Sequence, residues 1–158
     1  MNINIRFAAA ADARNILNMI KELAEYEKAP NEVSNTVEMM LQDGFSDNPI
    51  FKCFVAEENE TMVGIALFYF AYSTWKGKYL YLDDLIVTEK YRQHGVGKML
   101  FDKVIQFAAS NNCNQMRWHV LNWNTPAINF YKKYNASLDP EWITGKLTRE
   151  QINSAVVL

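Results

Sequence analysis

The sequence predicts a single α/β (α+β) domain in which a mixed sheet is flanked by helices. Segments with alternating or β-branched and aromatic residues come before, between and after segments with apolar residues at every third and fourth position. The 158 residues include no long linker, repeat or low-complexity run. This length is typical of one compact domain, so we expect residues 1–158 to fold as one.

The N-terminal third predicts a strand followed by two helices. Residues 1–6 alternate polar and apolar side chains, as a strand does and a signal peptide does not. Asp12 is a candidate N-cap for a first helix that ends before Pro30. Its apolar face consists of Ile16, Met19, Ile20, Leu23 and Ala24. A second helix is predicted from Thr36, with Met40 and Leu41 facing inward and Gly44 as the residue just past its end.

The middle of the chain predicts three consecutive strands. Residues 51–57 and 61–72 have the period of two that strands show, and the polar segment 58–60 between them predicts a hairpin turn. Residues 79–87 are aliphatic or aromatic at every position apart from Asp83 and Asp84, as in a strand with a buried face.

The last part of the chain predicts three helices and three short strands. A helical stripe ends at Asn111 and consists of Val96, Met99, Leu100, Val104, Phe107 and Ala108. Strands are expected at 115–121, 136–138 and 142–147. Thr125 is the expected cap of a helix that has Pro126 at its first position and runs to about Tyr134. Thr148 and Gln151 have the capping-box spacing of a final helix.

Composition and charge argue against several classes of function. The formal charge of −2 and a pI of about 5.7 favour neither nucleic acid nor an anionic membrane as a partner, and they suit a cationic substrate. No segment approaches the ~20 apolar residues of a membrane span. Cys53 and Cys113 lack CxxC spacing, and with two histidines they predict no zinc site and no disulfide framework. We therefore expect no metal and a reducing cytoplasm.

The most informative motif is Arg-x-x-Gly-x-Gly, formed by Arg92, Gly95 and Gly97 directly after the apolar strand 79–87. Glycines let a ligand approach the backbone, and the first N–H groups of a helix bind anions, so the motif suits a diphosphate. A dinucleotide fingerprint needs a third glycine, and a Walker loop needs Ser or Thr after the lysine; both are absent. Taken alone, the motif also fits a plain strand-to-helix turn.

Together with a second motif, Asn-Thr-Pro-Ala-Ile-Asn-Phe-Tyr at 124–131, this loop resembles the GNAT acetyltransferases. More narrowly, the chain is similar to the diamine (spermidine/spermine) and thialysine N-acetyltransferase group through residues 21–27, 43–45, 55–57, 72–77 and 81–84. The resemblance implies a mostly antiparallel twisted sheet of about six to seven strands, four to five helices, acetyl-CoA as co-substrate and a homodimer. It also implies acetyl transfer to the primary amine of a polyamine, a diamine or a thialysine-like amino acid.

The resemblance also implies which residues bind the co-substrate. The backbone of Leu85, Ile86 and Val87 would hold the pantetheine arm like an added strand. The pyrophosphate would lie on the motif loop, made of Arg92, Gln93, His94, Gly95, Val96, Gly97 and Lys98. The CoA arm would be flanked by Asn124, Thr125, Pro126 and Ala127, and Tyr131 would place its phenol near the thioester sulfur.

A carboxylate must act on the amine, because an alkyl ammonium with a pKa near 10.4 is not nucleophilic at neutral pH. Strand alternation lets only one of Asp83 and Asp84 face a given cleft, unless a bulge breaks it. The resemblance favours Asp83, and we interpret Asp84 as structural. The related group usually has Glu at position 83, one methylene longer, so proton transfer through a bridging water is favoured over direct transfer.

Further residues complete the predicted site. The resemblance assigns Tyr26, Glu27 and Trp75 to the substrate cavity, with Glu27 for a second positive charge and the aromatic residues for the alkyl stem. His94 and His119 read as structural, and Asn135 stands where the group has Gly and tolerates the same left-handed turn. Two other functions are compatible with the motifs: a CoA-binding regulatory module without turnover, and a peptide or protein N-acetyltransferase.

Overall fold

A computed structural model describes residues 1–155 and divides the chain into two compact units, Met1–His119 and the part that begins at Val120. The first unit contains β1 (Ile3–Phe7), α1 (Ala13–Tyr26), α2 (Val37–Phe45), β2 (Lys52–Glu58), β3 (Thr61–Ser73), β4 (Gly77–Val87), α3 (Val96–Ser110) and β5 (Gln115–Arg117). The second contains α4 (Thr125–Lys132) and α5 (Arg149–Ala155). No helix within residues 1–155 is long and apolar enough to span a membrane.

The sheet has the order β1-β2-β3-β4-β5, with three antiparallel pairings and a parallel pairing of β4 with β5. The predicted α/β fold and mostly antiparallel sheet are therefore confirmed. Five strands form among the described residues instead of the expected six to seven, because 136–138 and 142–147 are not strands and β5 ends at Arg117 rather than Leu121. Ile143 is 95% exposed and Leu147 is 65% exposed, so the alternation in that segment has no buried face to stabilise a strand.

Helices α1 and α2 cover one face of this sheet. Ile16, Leu17 and Met19 of α1 and Met40 of α2 form a cluster with Cys53, Val55, Ile65, Leu67 and Ile86 from the strands. The predicted inward face of α1 and the burial of Met40 are thus confirmed, whereas Leu41 is 36% exposed. Alternate residues of the same strands turn to the other face of the sheet. There Phe54 of β2 and Phe68 of β3 pack with Phe107 of α3, and the three ring centroids are 5.1–6.0 Å apart.

Three predictions about helix ends are wrong in detail. Gly44 lies inside α2 rather than past its end, and a Cβ there would come within 2.1 Å of the Phe51 ring, so glycine allows that ring to pack on the helix. Asp12 precedes α1 but does not cap it, because Arg6 holds its carboxylate at 2.7 and 3.0 Å. Asn124 caps α4 instead of Thr125, since its Oδ1 accepts from the Ala127 N–H at 3.3 Å.

Other predicted ends and turns are confirmed. In the capping box of α5, Thr148 N–H donates to Gln151 Oε1 at 2.8 Å, and Gln151 N–H donates to Thr148 Oγ1 at 3.3 Å. Asn135 adopts the expected left-handed conformation with φ of +56°, and Asn111 is the C-cap of α3, directly after its last residue Ser110. These features depend on a few neighbouring residues, which is why the sequence could predict them.

Candidate functional site

The start of α3 presents backbone N–H groups that no side chain of residues 1–155 caps. Gly95 stands at the N-cap with φ of +86°, and Gln93 is also left-handed with φ of +64°. The first backbone bond of the helix runs from the Met99 N–H to the Gly95 carbonyl at 3.0 Å, and no side chain caps the helix. The N–H groups of residues 96–98 therefore lie at the positive end of the helix dipole without an acceptor in their own helix, which is the arrangement that binds a phosphate group.

The glycines of this loop serve its backbone conformation and its openness. A Cβ on Gly95 would meet nothing within 4 Å, so glycine is needed there for the left-handed φ rather than for space. A Cβ on Gly97 would lie 3.7 Å from Val87 Cγ2, an ordinary contact. Lys98 Nζ pairs with Asp102 at 2.5 Å, and His94 Nδ1 lies 2.7 Å from the Arg92 carbonyl. The loop thus offers an anion mainly its backbone.

Strand β4 has an unpaired edge next to this loop. Strand β5 pairs with β4 only from Tyr79 to Tyr81, so the segment from Leu82 to Val87 has no strand neighbour on that side within residues 1–119. Backbone N–H and C=O groups along such an edge can hydrogen-bond an extended ligand as an added strand would. The edge includes Leu85, Ile86 and Val87, the residues predicted to hold the pantetheine arm.

The two aspartates of β4 lie at a break in the sheet register. Leu67 is opposite Asp84 and Phe68 is opposite Leu82, so Asp83 is an extra residue with no partner on β3. This is the bulge that sequence alternation alone could not predict. Asp83 is exposed and Asp84 is half-buried.

Three carboxylates with raised pKa values are associated with this break. Burial, followed by the charges of Asp83 and Glu27, raises the pKa of Asp84 to about 7. Burial also raises the pKa of Asp83, against a lowering effect of His119, and it raises the pKa of Glu27 at the end of α1. Across residues 1–155, none of these three carboxylates forms a salt bridge. Within the described residues the site therefore carries negative charge that no lysine or arginine pairs with, and His119 is the one positive group that lowers the pKa of Asp83.

Aromatic residues and a histidine surround the carboxylates. Tyr69 stacks on Tyr81 with ring centroids 5.2 Å apart, and the Tyr81 hydroxyl lies 2.6 Å from His119 Nδ1. Burial, then the neighbouring Tyr69 and Asp83, raises the pKa of Tyr81 to about 12, so its phenol stays protonated at neutral pH. The sequence analysis did not identify Tyr69 or Tyr81 as site residues, and it interpreted His119 as structural. The only signal for His119 in the sequence was its alternation with Trp118 along the predicted strand 115–121.

The predicted substrate residues lie in different places. Tyr26 is the last residue of α1 and Glu27 follows it, so both lie at the end of this helix. The negative charge of Glu27 contributes to the raised pKa of Asp84. Trp75 is 81% exposed in the turn between β3 and β4. That turn is about 20 Å along β4 from Asp83, at ~3.3 Å per strand residue, so Trp75 is not part of the carboxylate cluster within one chain.

The second predicted motif lies in the second unit. Asn124 caps α4, and Thr125 and Pro126 occupy its first turn together with Ala127. Tyr131 is 7% exposed, and its ring centroid lies 5.2 Å from that of Phe130. The helix therefore holds the phenol of Tyr131 in a buried position.

Comparison with known proteins gives concordant matches. The sequence pattern of the acetyltransferase (GNAT) family matches residues 15–136. Thialysine N-epsilon-acetyltransferase of Sus scrofa is 43% identical over 143 residues, which is 85% of this chain and 84% of the relative. Spermidine/spermine N(1)-acetyltransferase-like protein 1 of Homo sapiens is 38% identical over 158 residues, 94% of this chain but 23% of that longer protein.

Solved structures agree at the level of the fold. An integron cassette protein from the mobile metagenome of V. cholerae superposes with a TM-score of 0.79 at 22% identity, covering 99% of this chain and 98% of that one. An aminoglycoside acetyltransferase from an uncultured soil metagenomic sample, in complex with trehalose, has a TM-score of 0.76 at 18% identity, covering 92% of this chain and 95% of that one.

Proposed function

This chain belongs to the acetyltransferase (GNAT) family and is an N-acetyltransferase, and from that premise we propose that it acetylates the primary amine of a small molecule with acetyl-CoA. The proposed substrate class is a thialysine-like amino acid or a polyamine, as the names of its relatives suggest, or a diamine, as the resemblance implies. The family match runs across the boundary at His119, which supports one GNAT domain over residues 1–158. A homodimer remains an expectation from the resemblance.

The observation that carries the proposal is the group of three carboxylates, Glu27, Asp83 and Asp84, without a salt-bridge partner in residues 1–155. Asp84 and Glu27 are half-buried, and withdrawing their negative charge from water is costly unless a cation compensates it. An alkyl ammonium supplies that cation, and the Tyr69 and Tyr81 rings stacked nearby suit its carbon chain. Burial is the main reason that the pKa of Asp84 is raised to about 7, and the negative charges of Asp83 and Glu27 add to it.

The chain also has suitable groups for the co-substrate. The uncapped N–H groups of residues 96–98 suit its pyrophosphate, and the unpaired edge of β4 suits its pantetheine amides. Asn124, Thr125, Pro126 and Ala127 are proposed to flank the CoA arm. Acetyl-CoA supplies an activated acetyl group as a thioester.

The proposed reaction is a direct transfer in which one C–N bond forms and the thioester C–S bond breaks. Asp83 removes a proton from the ammonium, directly or through a water, which frees the nitrogen lone pair for attack on the acetyl carbon. Tyr131 donates its phenolic proton to the departing sulfur and later regains one from solvent. As the tetrahedral adduct collapses, its nitrogen releases a second proton to solvent, so the ammonium loses two protons in all, one proton ends on the CoA thiol and one is set free.

A panel of amines incubated with acetyl-CoA tests the proposal through release of free thiol. We expect turnover with thialysine, spermidine or a short diamine, and a loss of about 10²-fold or more in kcat/KM when Asp83→Asn removes the base. Asp47→Asn is the matched control, since Asp47 is an exposed carboxylate outside the cluster. Thiol release with peptides alone would instead indicate a peptide N-acetyltransferase, and CoA binding without any turnover would indicate a regulatory module.

A further inference from the structure

We propose that Arg92 is a positioning residue that ties the end of α1, with Tyr26 and Glu27, to the coenzyme loop, so that the co-substrate and the amine strengthen each other's binding. The resemblance had assigned Arg92 to the pyrophosphate. This inference rests on the proposed function, because it takes the loop as the coenzyme site and the end of α1 as part of the amine site.

The contacts of the Arg92 side chain lead toward β4 and α1. Its Nε donates to the Val87 carbonyl at 2.9 Å, at the point where β4 ends. Its guanidinium carbon lies 4.8 Å from the centroid of the Tyr26 ring, and Nη2 lies 3.7 Å from Glu22 Oε1. The contacts with Tyr26 and Glu22 join residues that are 66 and 70 positions apart in the sequence.

A second contact joins the same two segments. The backbone N–H of Glu89, in the turn that follows β4, donates to Glu22 Oε1 at 3.3 Å. The Glu22 carboxylate therefore accepts from the turn and faces the guanidinium at once. Both segments belong to the first unit, so the link lies within one compact body.

The end of α1 is where such a link affects the amine site. Glu27 N–H donates to the Leu23 carbonyl and Ala29 N–H to the Ala24 carbonyl, both at 2.8 Å, and Lys28 is left-handed with φ of +62°. Helix ends fray readily unless tertiary contacts hold them. A guanidinium near the negative end of the helix dipole, stacked on Tyr26, restrains the turn that carries Glu27.

The coupling follows from the position of Arg92 directly before the loop residues 93–98. A diphosphate that orders the loop backbone also orders Arg92, and through Tyr26 it orders the end of α1. Since linkage is reciprocal, an amine held by Glu27 strengthens coenzyme binding by the same factor. We expect a factor on the order of three to ten, at the low end of allosteric couplings.

The test measures CoA affinity by calorimetry and the hydrogen exchange of the Glu27 and Ala29 amides with and without CoA. In the wild type, saturating CoA should slow exchange at both amides. In Arg92→Gln this protection should be lost while the Kd for CoA changes by less than about threefold, because backbone groups hold the phosphates. Arg92→Lys should restore part of the protection, since it keeps a cation over the Tyr26 ring.

Two further variants keep the result interpretable. Lys90→Gln removes a positive charge from the turn just before the loop, where Lys90 Nζ lies 5.5 Å from the centroid of the Tyr91 ring, and it should retain full protection. Glu22→Gln leaves Arg92 in place but weakens its ion pair, so it replaces Arg92→Gln if that variant does not fold. In turnover with the amine that reacts fastest in the panel, Arg92→Gln should raise the amine KM about threefold to tenfold with kcat nearly unchanged.

Two results would contradict the inference about Arg92, and a third would reject the proposed function on which the inference rests. Tenfold or weaker CoA binding by Arg92→Gln with normal protection at saturation would make Arg92 a phosphate ligand. Unchanged protection and an unchanged amine KM would show that the contacts with α1 have no consequence. Failure of the wild-type protein to bind CoA would reject the proposed function itself, which the other two results leave intact.

Discussion

Asp83 and Asp84 are neighbours in sequence, yet only Asp84 has a residue opposite it on β3, Leu67, because the register slips by one residue at Asp83. The slip places an exposed and a half-buried carboxylate side by side. Their different environments lead to different expectations for pH and for mutation.

The stability of the protein should fall as the pH rises from about 4 to about 7, through the ionisation of Asp84. The folded-state pKa of Asp84 is raised to about 7, so over this range the folded state binds more protons than the unfolded state does. Asp84→Asn should remove that contribution, which is at most about 1.4 kcal/mol per pH unit. Urea unfolding of both proteins at pH 5 and pH 8 measures it, and identical pH dependences would contradict it.

Asp12 should have the opposite pH dependence. The hydrogen bonds from Arg6 hold the pKa of Asp12 below its usual value against the opposing effect of burial, so its stabilisation is present above pH ~4 and is lost as the pH falls through the lowered pKa. Asp12→Asn should lower the free energy of unfolding at pH 7 by about 1–2 kcal/mol, since it weakens a charge-assisted pair. Thermal unfolding at pH 7 checks the loss, with Asp47→Asn as the exposed control.

Tyr131→Phe should lower kcat by about 10²-fold while the Kd for CoA stays nearly constant, because the phenyl ring retains the packing but cannot donate a proton. Thiol-release assays measure kcat, and calorimetry measures the Kd for CoA. Tyr134→Phe is the matched control just beyond α4 and should be close to the wild type. A Tyr131→Phe enzyme within threefold of the wild-type kcat would exclude the phenol as the acid.

Gly95 and Gly97 should respond differently to alanine. Gly95→Ala should destabilise the fold by about 1 kcal/mol, since φ of +86° is strained for any residue with a Cβ. Gly97→Ala meets only an ordinary contact with Val87, so its stability should stay normal while CoA binds more weakly. Gly145→Ala, in open space, is the control, and a Gly97→Ala protein with wild-type CoA affinity would argue that the loop backbone does not hold the phosphates.

The elements that sequence predicted correctly are those that depend on near neighbours. The apolar stripe of α1, the alternation of β2 and β3 and the capping box at Thr148 all follow from residues within one or two turns. The left-handed Asn135 belongs to the same group. Local side-chain spacing and local backbone preference are sufficient to produce them.

The predicted strands at 136–138 and 142–147 failed because alternation does not provide a strand partner. The inward direction predicted for Leu41 failed for a related reason, since the face that α2 buries depends on what packs against it. In both cases, the residues that would have to pair with or pack against the segment are not its neighbours in sequence. A period of two or of 3.6 describes a possible element, and the rest of the fold decides whether it forms.

By itself the sequence determined the fold class, the glycine loop before α3 and the family, since each depends on residue types at short spacings. Only the tertiary structure decided that Asp83 lies in a bulge, that Tyr81 contacts His119 and that Arg92 packs on Tyr26. These relationships join residues from different elements or depend on strand register. Chain topology, and not local backbone preference, determines which of these residues come into contact.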